Sequence, residues 1–175
     1  TKSTEVRMNT IRVLSHLILK EMIKTRGNMY EIALCIIDPE IQISSLAKMF
    51  FQELSQRNNG LVIYNAMPDM ISNLTGSSEE NSSKRNINEK DDHLSARIIS
   101  EESFKIIASY LFSFIKRDKQ CETLIDKICH AFRQSNASER KCCDLAFCLS
   151  KIQLSENGIK KLKETFKMYA DKLTI

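Results

Sequence analysis

The feature that most constrains this chain is an apolar segment that stops at Asp38-Pro39 and restarts at once. Ile36 to Leu54 reads IIDPEIQISSLAKMFFQEL. Asp38 carries the side-chain oxygen that a helix N-cap needs. Pro39 suits the first helical position, where its missing N–H costs nothing. Glu40 then sits favourably near the positive end of the helix. Behind this start Ile43, Leu46, Ala47, Phe50, Phe51 and Leu54 recur at spacings of three and four, which places them on one helical face. The unit reads as helix, tight turn, helix. Such a pair cannot bury both apolar faces alone and requires neighbours stacked on either side.

Composition extends that pattern to the whole chain. Of 175 residues 42% are hydrophobic, while Gly (4) and Pro (2) are scarce, so regular structure is seldom interrupted and hairpin turns are hard to supply. The helical period dominates and the fold class expected is all-α. The net charge of +4 is mildly basic and falls short of a dedicated nucleic-acid-binding arm. There is no secretory signal pattern and no apolar run near the ~18 residues that cross a bilayer, so a soluble intracellular protein is expected. Cys35, Cys121, Cys129, Cys142, Cys143 and Cys148 form no CxxC pair, and no His stands at zinc-finger spacing. Reduced thiols packed as small hydrophobes are expected of them, rather than disulfides or metal ligands.

The periodicity predicts helices over 5–22, 29–37, 39–54 and 61–74, a polar stretch over 75–99, and helices over 100–115, 121–133, 139–152 and 159–173. In the first, Val6, Thr10, Val13 and Leu17 form one stripe and Ile11, Leu14, Ile18 and Met22 a second, which predicts contact on two sides. Arg26-Gly27-Asn28 reads as its stop. Pro68 is expected to kink the fourth helix or mark a restart near Met67. Thr75 to Ser95 is rich in Ser, Asn and charge and is expected to form a flexible surface loop inside a single array of 1–74 and 100–175. Ser77 and Ser78 there, upstream of Glu79-Glu80, are candidate sites for an acidic-directed kinase. Ser100 is expected to cap the helix that follows. The apolar faces predicted next comprise Phe104, Ile107, Ala108, Leu111, Phe114 and Ile115; then Leu124, Ile125, Ile128, Cys129 and Phe132; then Cys142, Leu145, Ala146, Leu149 and Ile152; and last Ile159, Leu162, Phe166, Tyr169 and Leu173.

About eight helices with short connections and a pair period near ~40 residues describe a HEAT- or armadillo-like α-solenoid. If the short apolar helix and the Asp-Pro helix form one pair, the first and last helices lack partners. A fragment of a longer array is therefore expected.

No catalytic constellation stands out. His16, His93 and His130 are scattered, Asp91-Asp92-His93 sits in a polar charge run, and there is no Gly-rich phosphate loop. A non-enzymatic chain is expected, with no cofactor, metal or small-molecule substrate. Basic residues are the more useful lead. Between Lys116 and Lys141 seven bases face four acids. Lys116, Arg117 and Lys119 share one turn, Arg133 flanks the next, and Arg140 and Lys141 lie just past it. If inter-helix turns line up along an edge, these six form a ridge that meets phosphate or an acidic partner; the alternative is a solvated helix edge. Interleaved aromatics are missing, so contact with DNA would be to the backbone of the duplex and without sequence preference.

The runs VRMNTIRVLSHLILKEMIKTRG, IDPEIQISSLAKMFFQEL and IYNAMPDMISNL, followed by DKQCETLIDKICHAFRQS, ERKCCDLAFCLSKI and LSENGIKKL, are similar to the C-terminal HEAT region of the condensin complex subunit 1 family, the non-SMC regulatory subunits of condensin I. The resemblance covers nearly the whole chain in order and departs at 75–95, where the family usually has a shorter acidic connection. It implies a non-enzymatic scaffold that binds the condensin kleisin subunit, the SMC ATPase subunits and chromosomal DNA in mitotic chromosome condensation. The implied location is nucleus and cytoplasm, and chromosomes in mitosis. The alternative is a HEAT adaptor of another complex, such as a nuclear transport receptor or a phosphatase scaffold.

Overall fold

A computed structural model describes residues 3–25, 27–75, 99–134 and 139–173. The described residues form α-helices and two short 3-10 turns, with no strand among them. The helices are α1 (Thr4–Leu19), α2 (Asn28–Leu34), α3 (Ile41–Gln56), α4 (Leu61–Leu74), α5 (Glu101–Phe112), α6 (Asp118–Gln134), α7 (Glu139–Lys151) and α8 (Glu156–Leu173), and the 3-10 turns are Cys35–Ile37 and Arg57–Gly60. The all-α, HEAT-like class is as expected. The chain divides into two compact units, Thr1–Ala108 and Ser109–Ile175, with the boundary inside α5. The polar stretch expected as a loop lies outside the described residues from 76 to 98, and its candidate serines with it.

In the first unit α3 is the packing centre and meets α1, α4 and both 3-10 turns, while α2 packs on α4. Ile43, Ala47, Phe50, Phe51 and Leu54 are buried, as their spacing predicted. The helix nevertheless starts later than the Asp-Pro signal suggested. Its N-cap is Glu40, and Pro39 lies outside it. The Asp38 carboxylate accepts from the Glu40 N–H at 2.9 Å and from Arg7 Nη2 at 3.2 Å. Proline pushes the residue before it out of the helical region, and Asp38 is extended (φ −60°, ψ 136°). Asp38 therefore closes a local turn and ties it to α1 instead of capping α3. Ser44 Oγ donates to the Ile36 carbonyl at 2.6 Å and clamps the first turn of α3 to the segment before it.

The end of α1 also differs. It stops at Leu19, not at Gly27. Glu21 takes the left-handed conformation (φ 57°). Its N–H reaches the Ile18 carbonyl, and the Met22 N–H reaches the Leu17 carbonyl, each at 2.9 Å. This pair of bonds closes a helix C-terminus in the manner usually associated with glycine. Gly27 (φ 85°) is instead the residue before α2. Arg57 Nη1 donates to the Leu19 carbonyl, placing a cation on the negative end of α1. Only one of the two expected stripes of α1 is packed: Ile11 and Ile18 are buried, while Val6 and Val13 are exposed. The helix expected over 29–37 tightens to 3-10 geometry at Cys35. Helix α4 runs through Pro68 with no restart at Met67, which is itself buried with Met70 and Ile71. Packing of that face outweighs the roughly 3 kcal/mol that an interior proline costs a helix.

Ser100 caps α5 as expected, its Oγ accepting from the Ser103 N–H at 3.2 Å. The helix ends at Phe112, short of the Ile115 predicted. Bonds from Phe114 N to Leu111 O (3.3 Å) and from Ile115 N to Phe112 O (3.0 Å) tighten the chain there. Phe114 is half-buried, and its ring meets Tyr110 edge-on at 5.1 Å between centroids.

In the second unit α6 packs on α7 and on α8. Leu124, Ile125, Ile128 and Cys129 of α6 are buried as predicted. Helix α8 is fixed at three points: Ser155 Oγ donates to Glu122 (2.8 Å), Lys161 Nζ donates to Asp126 (2.6 Å), and Gly158 abuts Ile125, where an added Cβ would lie 2.9 Å from Cδ1. This rotates α8 away from its predicted face. Gly158 and Thr165 are buried, whereas Ile159 and Phe166 are exposed; the side chains of Tyr169 and Leu173 lie outside the described residues. Helix α7 is corrected in the same way. Asp144 is buried and Ala146, predicted inward, is exposed.

Cys121, Cys129 and Cys148 are buried, Cys35 and Cys142 half-buried and Cys143 exposed. Burial, with the Asp144 carboxylate adding to it, pushes the Cys148 thiol up to about 12. Below about pH 8.5 the folded and unfolded chains both hold this proton. Above that the unfolded chain releases it while the folded chain keeps it, so stability falls as pH rises towards 12. The limit of this loss is about 1.4 kcal/mol per pH unit. Urea unfolding at pH 8 and pH 10 is expected to show a larger loss for the native chain than for Cys148→Ala; equal losses would mean that the thiol is not protected.

Candidate functional site

The basic residues singled out by charge fall in the second unit. The bonds that end α5 turn the chain at Ile115, which is buried and anchors the connection. Lys116 and Arg117 follow, outside any helix. The Arg117 carbonyl accepts the first helical bond of α6, from Cys121 N at 2.9 Å. Lys116, Arg117 and Lys119 are all exposed, held at the start of α6 by the buried Ile115 on one side and Cys121 on the other. Asp118 lies among them in the first turn, where a carboxylate suits the helix dipole.

The six residues fall into two groups along the chain, one at each end of α6. Successive turns of an up-and-down helical array alternate between its two ends. Lys116–Lys119 precede α6, whereas Arg133, Arg140 and Lys141 follow or end it. The helix has 17 residues, so its own length, about 25 Å, separates the two groups. Arg140 is also committed elsewhere. Its Nε donates to Asp144 Oδ2 at 2.9 Å, and that carboxylate is only 2% exposed. Lys141 is half-buried, and the side chain of Arg133 lies outside the described residues.

A different continuation is available at the first group. Lys119, Thr123 and Lys127 recur every four residues, with Lys119 and Lys127 exposed, as is His130. They lie on one face of α6. Thr123 Oγ1 is turned back to the Lys119 carbonyl (2.8 Å), which leaves the lysines as the long polar groups of that face. The i, i+4 spacing was visible in the sequence, but counting charge by turn rather than by face hid it. The acids nearby are partly occupied: Asp126 receives Lys161. Chemically, the group offers point charges on flexible stems, suited to phosphate oxygens or carboxylates and not to base-specific reading.

No group of three or more potential metal ligands occurs among the described residues, and no described helix is long and apolar enough to cross a membrane.

The family model described as non-SMC mitotic condensation complex subunit 1 matches residues 2–150. The human condensin complex subunit 1 is 41% identical over 170 residues, 97% of this chain and 11% of the human protein. The condensin-1 complex subunit CAP-D2 of Arabidopsis thaliana is 40% identical over 95% of this chain and 10% of its own length. Condensin complex subunit 1 of Saccharomyces cerevisiae is 27% identical over 91% of this chain. The chain spans about a tenth of the length of these relatives. Matched over most of its residues and carrying the all-helical, HEAT-like frame described above, the chain belongs to the non-SMC mitotic condensation complex subunit 1 family.

Proposed function

We propose that this chain is a non-catalytic helical segment of the condensin complex and contacts the DNA backbone through Lys116, Arg117 and Lys119, with Lys127 extending the contact along α6. The observation that carries the DNA reading is the exposed basic cluster at a connection fixed by buried residues on both sides. Complex membership is supported by the name that relatives bear at 40–41% identity. The same reading gives the kleisin and SMC ATPase subunits as partners and nucleus, cytoplasm and mitotic chromosomes as locations.

Two measurements test it. The full-length chain should co-purify with the kleisin and SMC subunits, and failure to do so sinks the complex assignment. In the assembled complex, reversing Lys116, Arg117 and Lys119 to Glu should weaken duplex DNA binding equally for all sequences. It should also flatten the dependence of log K on log salt by about 0.9 for each phosphate that is no longer neutralised. Affinity and slope unchanged across a salt titration would leave the cluster as solvated surface. Arg140 is unsuitable for this test because of its buried partner.

A further inference from the structure

The outer face of α6 carries one reactive group that the basic cluster does not use. Helix α6 buries Cys121, Leu124, Ile125, Ile128 and Cys129. Lys119, Thr123 and Lys127 lie on the opposite side, and all three are exposed. Thr123 stands midway between the two lysines, four residues from each. Residues at that spacing on a helix have Cβ atoms about 5–6 Å apart. Thr123 Oγ1 donates to the Lys119 carbonyl at 2.8 Å, in a bond that is itself exposed. Nothing in the core depends on this hydroxyl. Glu122 precedes it and Asp126 follows three residues later. An acid at that third position is the feature that acidic-directed kinases read.

A threonine phosphate carries about −1.5 to −2 charges at pH 7 and three acceptor oxygens. At position 123 it would lie within reach of both Lys119 and Lys127 and form the i, i+4 pairs that stabilise an exposed helix. The two lysine charges would be cancelled. The phosphates of DNA would then meet a like charge at the centre of the face. The neutral threonine does neither.

We infer that Thr123 is a phosphorylation site that turns the α6 contact with DNA off. The inference rests on the DNA reading of Lys116, Arg117, Lys119 and Lys127 proposed above. In the step itself Thr123 Oγ1 attacks the γ-phosphorus of ATP in the kinase active site. The Oγ1–P bond forms, the bond from that phosphorus to the β,γ-bridging oxygen breaks, and ADP leaves. The hydroxyl proton passes to the kinase base, and the bond to the Lys119 carbonyl is lost with it. Thr123 is the sixth residue of α6. The kinase therefore needs the first two turns to open, and helix ends are where such opening costs least.

The test uses the full-length chain in its purified complex, treated with an acidic-directed kinase and ATP. Phosphopeptide mapping should find phosphate on Thr123. Duplex DNA affinity should then fall about tenfold, and the slope of log K against log salt should flatten by about 1.8, or about 0.9 for each of the two lysines withdrawn. Phosphatase should restore both. Thr123→Val treated in the same way should keep its affinity, which separates this residue from other sites that the kinase modifies. Absence of phosphate at Thr123, or a phosphorylated complex that binds DNA as tightly as treated Thr123→Val, would overturn the proposal. Reversal of Lys116, Arg117 and Lys119 to Glu tells the two failures apart. If that reversal weakens binding and phosphate on Thr123 does not, the switch alone falls; if neither weakens it, the DNA reading falls as well.

Discussion

Phe51→Ala is expected to destabilise the chain by about 3–5 kcal/mol, as for other large aromatic truncations in cores. Phe51 is fully buried on α3, and its neighbour Phe50 meets it edge-on with ring centroids 5.1 Å apart. The helix that carries both is held by α1, α4 and two 3-10 turns. Arg57 and Asp38 further pin α1 to the segments that flank α3. A void left by the ring therefore has few ways to collapse, which puts the cost towards the upper part of that range. Met49→Ala on the same helix is the internal control. Met49 is 63% exposed, and surface truncations of this kind stay within about 0.5 kcal/mol. Urea unfolding of the two variants should separate them clearly. A loss at Phe51 no larger than at Met49 would mean that α3 is not the packing centre of its unit.

Strong periodicity made the helices legible, and local chemistry decided where the sequence misled. The α3 face was readable because six apolar residues repeat at helical spacing with nothing competing, and five of them are buried. Its start was misread because Asp38 has two possible uses. As an N-cap it would bond α3, but Arg7, thirty-one residues earlier, draws its carboxylate into an ion pair no local pattern reveals. The end of α1 was hidden because a glutamate, not a glycine, takes the left-handed position. In α8 the apolar stripe of Ile159, Leu162 and Phe166 is clear at helical spacing, but no local pattern says that α6 meets a different side of the helix. Polar contacts with Glu122 and Asp126 chose the rotation that buries Gly158 and Thr165 and leaves Phe166 outside. The basic site was half legible. Charge counting found Lys116, Arg117 and Lys119, but it joined them to residues at the far end of α6, because sequence proximity does not say which turns share an end of the array.

Arg140→Met is expected to cost about 3 kcal/mol, at the low end of the range for breaking a buried ion pair because Arg140 itself is partly exposed. Asp144 is the reason. Its side chain is 2% exposed and accepts from Arg140 Nε at 2.9 Å one helical turn away. Surface pairs at this spacing contribute only about 0.3–0.5 kcal/mol, but here the arginine faces a carboxylate in the interior, and its loss removes a charge-assisted bond from a buried group. Arg140→Glu should be worse still, since it adds a like charge beside the carboxylate. The double variant Arg140→Met/Asp144→Leu distinguishes loss of this charge-assisted bond from lost packing. Replacing both members of a buried pair by apolar groups of similar size is often close to neutral, so the double variant should recover most of the stability that the single one loses. Denaturant unfolding of the wild type, both single variants and the double completes the cycle, and a double variant as unstable as the sum of the singles would rule out the coupling. The outcome also governs any charge-reversal study of this surface. A loss of DNA binding on changing Arg140 would follow from a weakened α7 and would say nothing about phosphate contact. The exposed Lys116, Arg117 and Lys119 carry no such burden, and they are the positions at which function and folding can be varied separately.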